Sequence, residues 1–446
     1  MPIPTRKKYT VPVIEYLLGC SPRGPCGPRG MSSIINCEWA LTSITKSSIH
    51  GPLILGRRFH MEERNPMEGK ARIVGLDLSK KTFVGCNLTG ERFEKRSFFN
   101  GRMDEAGREK LASRLTEKDI VFMEGGTSSF NLARELKANT KATIIVLNPA
   151  KLHKAIASDC KTDKNDAYLI AEYARDKNWE KWCVLEVPTE RESEYRSIIT
   201  TSIFLTQERT KLINRLHAVF NQNGVCDLSK ACLRDAEGRS ECIAEHLSGF
   251  ALDIALILAD DIYLIERQME YCDQKMVEIC LENPELAEAW LSIPSVGLKT
   301  TATCIAFLGD CGRFSSADQL RNYVGLIPKR HQSGEVDNTF GVLFRGCMPI
   351  RRNIIQCAWS IRMRSVKCSL TEYSKSLYDR GKKGQKAAVA VANKILNIGY
   401  ALCKSRSTYS YEGCETELRR KLKSYGLETI AGTNANSAAE VTRPTN

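Results

Sequence analysis

Arg72-Ile-Val-Gly-Leu-Asp-Leu78 is the stretch on which the fold of this chain turns. A short apolar run leads straight into an aspartate, the pattern of a buried strand that ends in a carboxylate. Ile120-Val-Phe-Met-Glu124 repeats the pattern, and Gly125 and Gly126 follow it. Between and after these runs the signals alternate. Thr82–Leu88 and Phe93–Phe98 are predicted strands, linked by a turn at Thr89-Gly90. Glu105–Leu115 and Phe130–Lys137 are predicted helices, with strands at Asp119–Met123 and Thr143–Leu147. Asn148-Pro149 opens a helix, and Asp163–Arg175 forms another with Ala167, Ile170, Ala171 and Ala174 on one face.

Three meandering strands followed by alternating helices and strands specify an α/β domain with a mixed sheet, and an RNase H-like order fits. In such a sheet Asp77 and Glu124 finish neighbouring strands, and strand ends bring side chains together at one edge. Asp163 and Asp166 stand at i and i+3 at a helix start, so they share a face. Capping is the plain alternative for that pair, since helix starts favour Asp. Clustered carboxylates repel one another unless a cation sits among them. Mg²⁺, or Mn²⁺ in its place, takes oxygen ligands and keeps water for phosphate oxygens. Two such ions about 4 Å apart can hold the attacking and leaving oxygens of a phosphodiester displacement. Lys161 is a candidate phosphate contact, or else a solvated charge.

The bulk composition agrees. The chain has 446 residues, 42% of them hydrophobic, enough for two or three domains. Its net charge is +13, and residues 344–425 hold 18 Lys and Arg against 5 Asp and Glu, an excess equal to that of the whole chain. A basic surface so concentrated suits a polyanion, nucleic acid above all; a lysine-rich solvated face is the alternative. The 18 cysteines form no Cys-x-x-Cys pair and the six histidines are scattered, which argues against a zinc finger. We expect reduced, mostly buried thiols in a cytoplasmic protein. No uncharged apolar run approaches the roughly 18 residues of a membrane span, so no membrane partner is expected.

Five segments follow. Residues 1–70, with the turn-rich run Ser21-Pro-Arg-Gly-Pro-Cys-Gly-Pro-Arg-Gly30, read as a disordered leader, and Met67 is a candidate start. Residues 71–180 form the α/β domain. Residues 181–285 are helical, with Ile198, Ile203, Leu205, Leu212, Leu216 and Val219, then Leu256, Ile262, Ile265, Met269, Met276 and Ile279 at near-helical spacing. A break at Asn223-Gly224 suggests two long helices folding back as a coiled-coil arm, or an ordinary bundle. Residues 286–410 are a mainly α domain carrying the basic excess, and residues 411–446 a flexible tail.

Taken in order, the motifs resemble the DEDD-type insertion-sequence transposases guided by a bridge RNA, the one-hundred-and-ten group of insertion sequences. The match begins at Val74-Gly-Leu-Asp-Leu-Ser-Lys80 and Met123-Glu-Gly-Gly126, and is strong at Lys161-Thr-Asp-Lys-Asn-Asp-Ala167. It resumes at Ile293-Pro-Ser-Val-Gly297, Gly309-Asp310, Arg313-Phe-Ser-Ser316, Tyr323-Val-Gly-Leu-Ile-Pro328, Ser333-Gly334 and the stretch from Arg380 to Lys394. The resemblance covers roughly residues 72–409. It implies a RuvC-like domain with Asp77, Glu124, Asp163 and Asp166 as metal ligands and catalytic residues, and a second domain with a nucleophilic serine. The matching position is Ser333 in His331-Gln-Ser-Gly334, where Gln332 replaces the first of two serines common in relatives. His331 is a candidate proton acceptor or an exposed loop residue. The resemblance further implies strand exchange through a serine–DNA intermediate, donor and target DNA as substrates, a guide RNA, and a dimer or tetramer.

Ile293–Gly297 resembles a helix-hairpin-helix turn whose backbone N–H groups hold a DNA phosphate, with a plain helix-start turn as the alternative. Arg345, Arg351, Arg352, Lys382, Lys383 and Lys386 are candidate contacts to nucleic-acid phosphates. Two other functions remain open on the residues alone. One is a RuvC-like junction resolvase or nuclease using water, which needs the acids but not Ser333. The other is a non-catalytic nucleic-acid-binding protein.

Overall fold

The computed structural model describes residues 65–126, 128–156, 162–229, 232–333, 336–342, 346–364, 366–382 and 384–431, with backbone alone for the described part of 328–345. All of these belong to one compact unit, Arg58–Asn446. Most of the expected leader and the tail beyond residue 431 lie outside the described residues.

The first part runs β1 (Arg72–Leu78), β2 (Thr82–Thr89), β3 (Lys95–Arg102), α1 (Glu105–Ser113), β4 (Asp119–Glu124), α2 (Ser129–Asn139), β5 (Thr143–Leu147), α3 (Pro149–Ala155), α4 (Asp163–Asp176) and β6 (Val184–Leu185). The strands form one mixed sheet in the order β3-β2-β1-β4-β5-β6. β1, β4 and β5 are parallel neighbours, while β2, β3 and β6 run antiparallel to theirs. The central strands are apolar without alternation because both faces are covered. Ile73, Ile120 and Phe122 join the core beneath α4, and Val74, Leu76, Val121 and Met123 join the core on the opposite face with Leu132 and Leu136 of α2. The third strand starts later than its apolar residues suggest. Gly90 at φ 99° and Phe93 at φ 56° belong to the turn, so pairing begins at Lys95.

The second part is helical: α5 (Glu190–Gln222), α6 (Ala236–His246), α7 (Gly249–Glu282), α8 (Pro284–Ser292), α9 (Leu298–Leu308) and α10 (Ala317–Val324). After the hairpin β7 (Pro328–Ser333) and β8 (Val336–Val342) come α11 (Met348–Arg362), α12 (Ser369–Asp379), α13 (Gly384–Ser405) and α14 (Cys414–Ser424). The 33-residue α5, about 50 Å long at 1.5 Å per residue, folds back on α7. A Thr189–Glu192 capping box starts α5, and the chain leaves it at Asn223 and Gly224. At one end of the pair, Tyr195, Ile199, Met276 and Ile279 pack against α8 and α9. At the other, Leu216, Phe220 and Ile262 pack against Cys242 and Ile243 of α6. Leu256 is 42% exposed, so not every residue of the predicted helical period is core.

Two features differ from expectation. A β-hairpin interrupts the mainly α region, because Pro328-Lys-Arg-His-Gln-Ser333 pairs through its backbone without an apolar alternation. The expected tail holds α14, with Lys421 and Leu422 buried. Arg313 ties the two parts together: it lies against the rings of Phe314 and Tyr323, 4.8 and 4.7 Å from their centres, and donates to Glu186 just past β6 at 3.0 Å. Arg134 of α2 adds bonds of 3.0 Å to the Pro188 carbonyl and the Ser193 hydroxyl.

Candidate active site

The sheet delivers the first two acids. β1 and β4 are in parallel register through Leu76 and Met123, so Asp77 and Glu124 come one residue later on both strands. The α4 side of the sheet is the side of Ile73, Ile120 and Phe122, and the alternation of a strand puts Gly75, Asp77 and Glu124 on it too.

Gly75 brings the other two acids near. A Cβ at that position would fall 2.3 Å from the Ala167 carbonyl oxygen and 2.7 Å from the Ala171 nitrogen. Only glycine on β1, facing two alanines on α4, lets the helix backbone approach so closely. The start of α4 thereby arrives at the sheet edge that carries Asp77. Thr162 caps α4, its hydroxyl accepting the Asn165 N–H at 3.2 Å. Neither Asp163 nor Asp166 is therefore needed as the cap.

The electrostatics of Asp77 register the gathering. Its carboxyl is raised above the usual aspartate range, first by burial and then by the charges of Asp166, Asp163 and Glu124 in that order. Asp77 thus feels the other three acids across the β1–β4–α4 edge. Among the described residues, however, no three acidic, histidine or cysteine side chains already converge closely enough to hold one ion. The donor set fits a hard divalent cation: four carboxylates, of which Asp163 is exposed and Asp77, Glu124 and Asp166 are half-buried.

One neighbour was not anticipated from sequence. His153 of α3 places Nε2 3.1 Å from Glu124 Oε1. The Asn148-Pro149 helix start was readable, but nothing in the spacing ties a histidine five residues later to Glu124.

The remaining candidates are spread out. Ser333 ends β7 opposite Val336, and the intervening Gly334 and Glu335 lie outside the described residues. His331 is a strand residue, paired with Asn338, rather than part of an open loop. Lys161, Arg345 and Lys383 also lie outside the described residues. Lys382 and Lys386 are exposed where α13 begins, and Arg352 is exposed on α11. Arg351 is 7% exposed and its guanidinium approaches the Met348 sulfur, so it faces inward and not toward a phosphate on the surface. Gly297 caps α9 without a side chain, and a Cβ there would lie 2.9 Å from the Tyr425 hydroxyl. That turn is partly covered by the end of α14.

Two family models match this sequence. One, described as a transposase and of the DEDD insertion-sequence type, spans residues 74–224 and takes in all four acids. The other, described as the transposase IS116/IS110/IS902 family, spans residues 287–374, which include Ser333. The transposase for insertion sequence element IS1111A of Coxiella burnetii is 26% identical over 344 residues, covering 76% of this chain and 91% of that protein. The pilin gene-inverting protein of Moraxella lacunata is 21% identical over 346 residues, covering 75% and 97%. The transposase for insertion sequence element IS1328 of Yersinia enterocolitica is 23% identical over 344 residues, covering 76% and 98%.

Proposed function

Because this chain belongs to the IS116/IS110/IS902 transposase family and is a DNA transposase/recombinase, we propose that it exchanges DNA strands at a divalent-metal centre held by Asp77, Glu124, Asp163 and Asp166. The observation that carries this reading is the convergence of the ends of β1 and β4 with the start of α4, set by the parallel register and by the close approach at Gly75. The sheet order supports an RNase H-like, RuvC-like domain over residues 71–180, followed by an arm over 181–285 and a transposase domain over 286–410.

Bound Mg²⁺ or Mn²⁺ supplies Lewis acidity at the scissile phosphate. The four carboxylates hold it and fix the reacting edge. Ser333 provides the nucleophile: its Oγ bonds to phosphorus as the bond from phosphorus to a deoxyribose oxygen breaks, and the serine proton, relayed through solvent, ends on that leaving oxygen as the free hydroxyl. A hydroxyl from the partner strand then attacks the phosphoserine diester and releases Ser333. Phosphodiester bonds are conserved in number, so no nucleotide cofactor is needed.

The basic excess of residues 344–425 supports contact with donor and target DNA and with a guide RNA. The exposed residues Phe250, Ile254, Ile257, Leu264 and Tyr271 on α7, spaced 4, 3, 7 and 7 apart, share one side of the helix, with Asp261 and Gln268 at the seam positions between them, and support a homo-oligomer, a dimer or a pair of dimers. No helix among the described residues is long and apolar enough to cross a membrane.

The deciding experiment is a search for a denaturation-resistant protein–DNA adduct on element-end DNA. The adduct is expected in wild type and lost in Ser333→Ala and Asp77→Asn. Cleavage that persists in Ser333→Ala without an adduct would identify a water-using nuclease. Sequencing RNA that co-purifies tests the guide, and full activity of RNA-free protein would refute it.

A further inference from the structure

α3 is short, and its setting leaves it little freedom. Asn148 caps it by accepting the Lys151 N–H at 3.2 Å, and Pro149 occupies its first turn. Leu152 is completely buried in the core beneath α4, and Ile156 packs against the same core. Gly125, directly after Glu124, donates its N–H to the Leu147 carbonyl at 2.8 Å. A Cβ at Gly125 would fall 2.7 Å from Leu185 Cδ1, 3.1 Å from the Leu147 oxygen and 3.4 Å from Pro149 Cδ. The missing side chain makes room for Leu185 of β6 beside the strand end that carries Glu124, with Pro149 of α3 at ordinary contact distance.

The result is the 3.1 Å approach of His153 Nε2 to Glu124 Oε1. Burial does not force it: the side chains are 65% and 32% exposed. A pair so open contributes little to stability. Its consequence is orientation. A carboxylate that accepts one hydrogen bond on Oε1 has its rotation fixed and keeps Oε2 for a cation, and such outer partners tune metal affinity.

We propose that His153 is a positioning residue of the metal centre, holding Glu124 in the rotation that presents Oε2 toward Asp77. This rests on the metal-centre reading above. The test is Mn²⁺ binding by the full chain without DNA, followed by the paramagnetic resonance of free Mn²⁺. His153→Ala is expected to bind Mn²⁺ about 10- to 100-fold more weakly than wild type. His153→Gln, whose amide N–H reaches a similar point, is expected to recover most of the loss. Both variants should unfold at the wild-type temperature, because the residue is mainly exposed.

The proposal is overturned if His153→Ala binds as wild type does, or if Gln rescues no better than Ala. It is also overturned if the spin-echo spectrum of bound Mn²⁺ shows a directly coordinated imidazole nitrogen, which would make His153 a ligand. Failure of the underlying reading looks different: wild type and Asp77→Asn would then bind Mn²⁺ alike, or neither would bind, and the role of His153 would fall with it.

Discussion

Gly75 decides how close two of the four acids come to the third. Replacing it with Ala puts a methyl group 2.3 Å from the backbone oxygen of Ala167, which cannot rotate away. Gly75→Ala should therefore push α4 off β1 and cost about 1–3 kcal/mol, as overpacking does. The midpoint of urea unfolding measures the loss, and strand exchange should fall with it; an unshifted midpoint would show that α4 tolerates displacement. Lys421 offers a second prediction. It is 7% exposed and donates to the Leu291 and Ile293 carbonyls at 2.7 and 2.8 Å, at the C-terminal end of α8. Burial lowers its pKa to about 8, against the opposing pull of Glu417. Between about pH 8 and the unfolded value near 10.5 the unfolded chain binds the extra proton, so stability rises with pH in that window. The expected gain approaches about 1.4 kcal/mol per pH unit. Lys421→Met should lack this rise in unfolding midpoints taken from pH 7 to 10. The carboxylates were legible because each ends an apolar run or opens a helix. Neither the burial of Lys421 and Arg351 nor the His153 contact was legible, because each depends on which face of a helix meets a distant element.

At the scale of elements, sequence periodicity was most informative where burial is two-sided or amphipathic. β1, β4 and β5 have unbroken apolar centres and were readable, as was the capped start of α4. The β7–β8 hairpin was not, since it joins polar residues through backbone bonds alone. α6 escaped because its apolar residues are few: Cys242 and Ile243 are buried, and much of the rest is polar. The α5–α7 pair was foreseen, but not its outward face. Phe250, Ile254, Ile257, Leu264 and Tyr271 are 46–87% exposed, an apolar stripe unusual for a free helix. Introducing Glu at both Ile257 and Leu264 should dissociate the oligomer proposed above without unfolding the chain. Sedimentation velocity would report a lighter species with unchanged helical circular dichroism, whereas an unchanged sedimentation coefficient would exclude this stripe as the interface.

For the whole molecule, the separation of charge matters more than its sum. Acids gather at the edge of the sheet, while the basic excess is in residues 344–425. Binding to DNA should weaken steeply with salt, as displaced counterions require. Changing the exposed Lys382 and Lys386 together to Ala should lower the slope of log affinity against log salt by about 2, roughly 0.9 for each phosphate no longer neutralised. Fluorescence anisotropy across a salt series measures it, and parallel slopes would remove both lysines from the interface. The tie from Glu186 to Arg313, which lies against Phe314 and Tyr323, reaches beyond this one chain. A hybrid protein that joins the α/β part of one relative to the helical part of another inherits only one end of that tie. Crossovers near residue 187 should yield weakly cohering chimeras unless both ends are transplanted together.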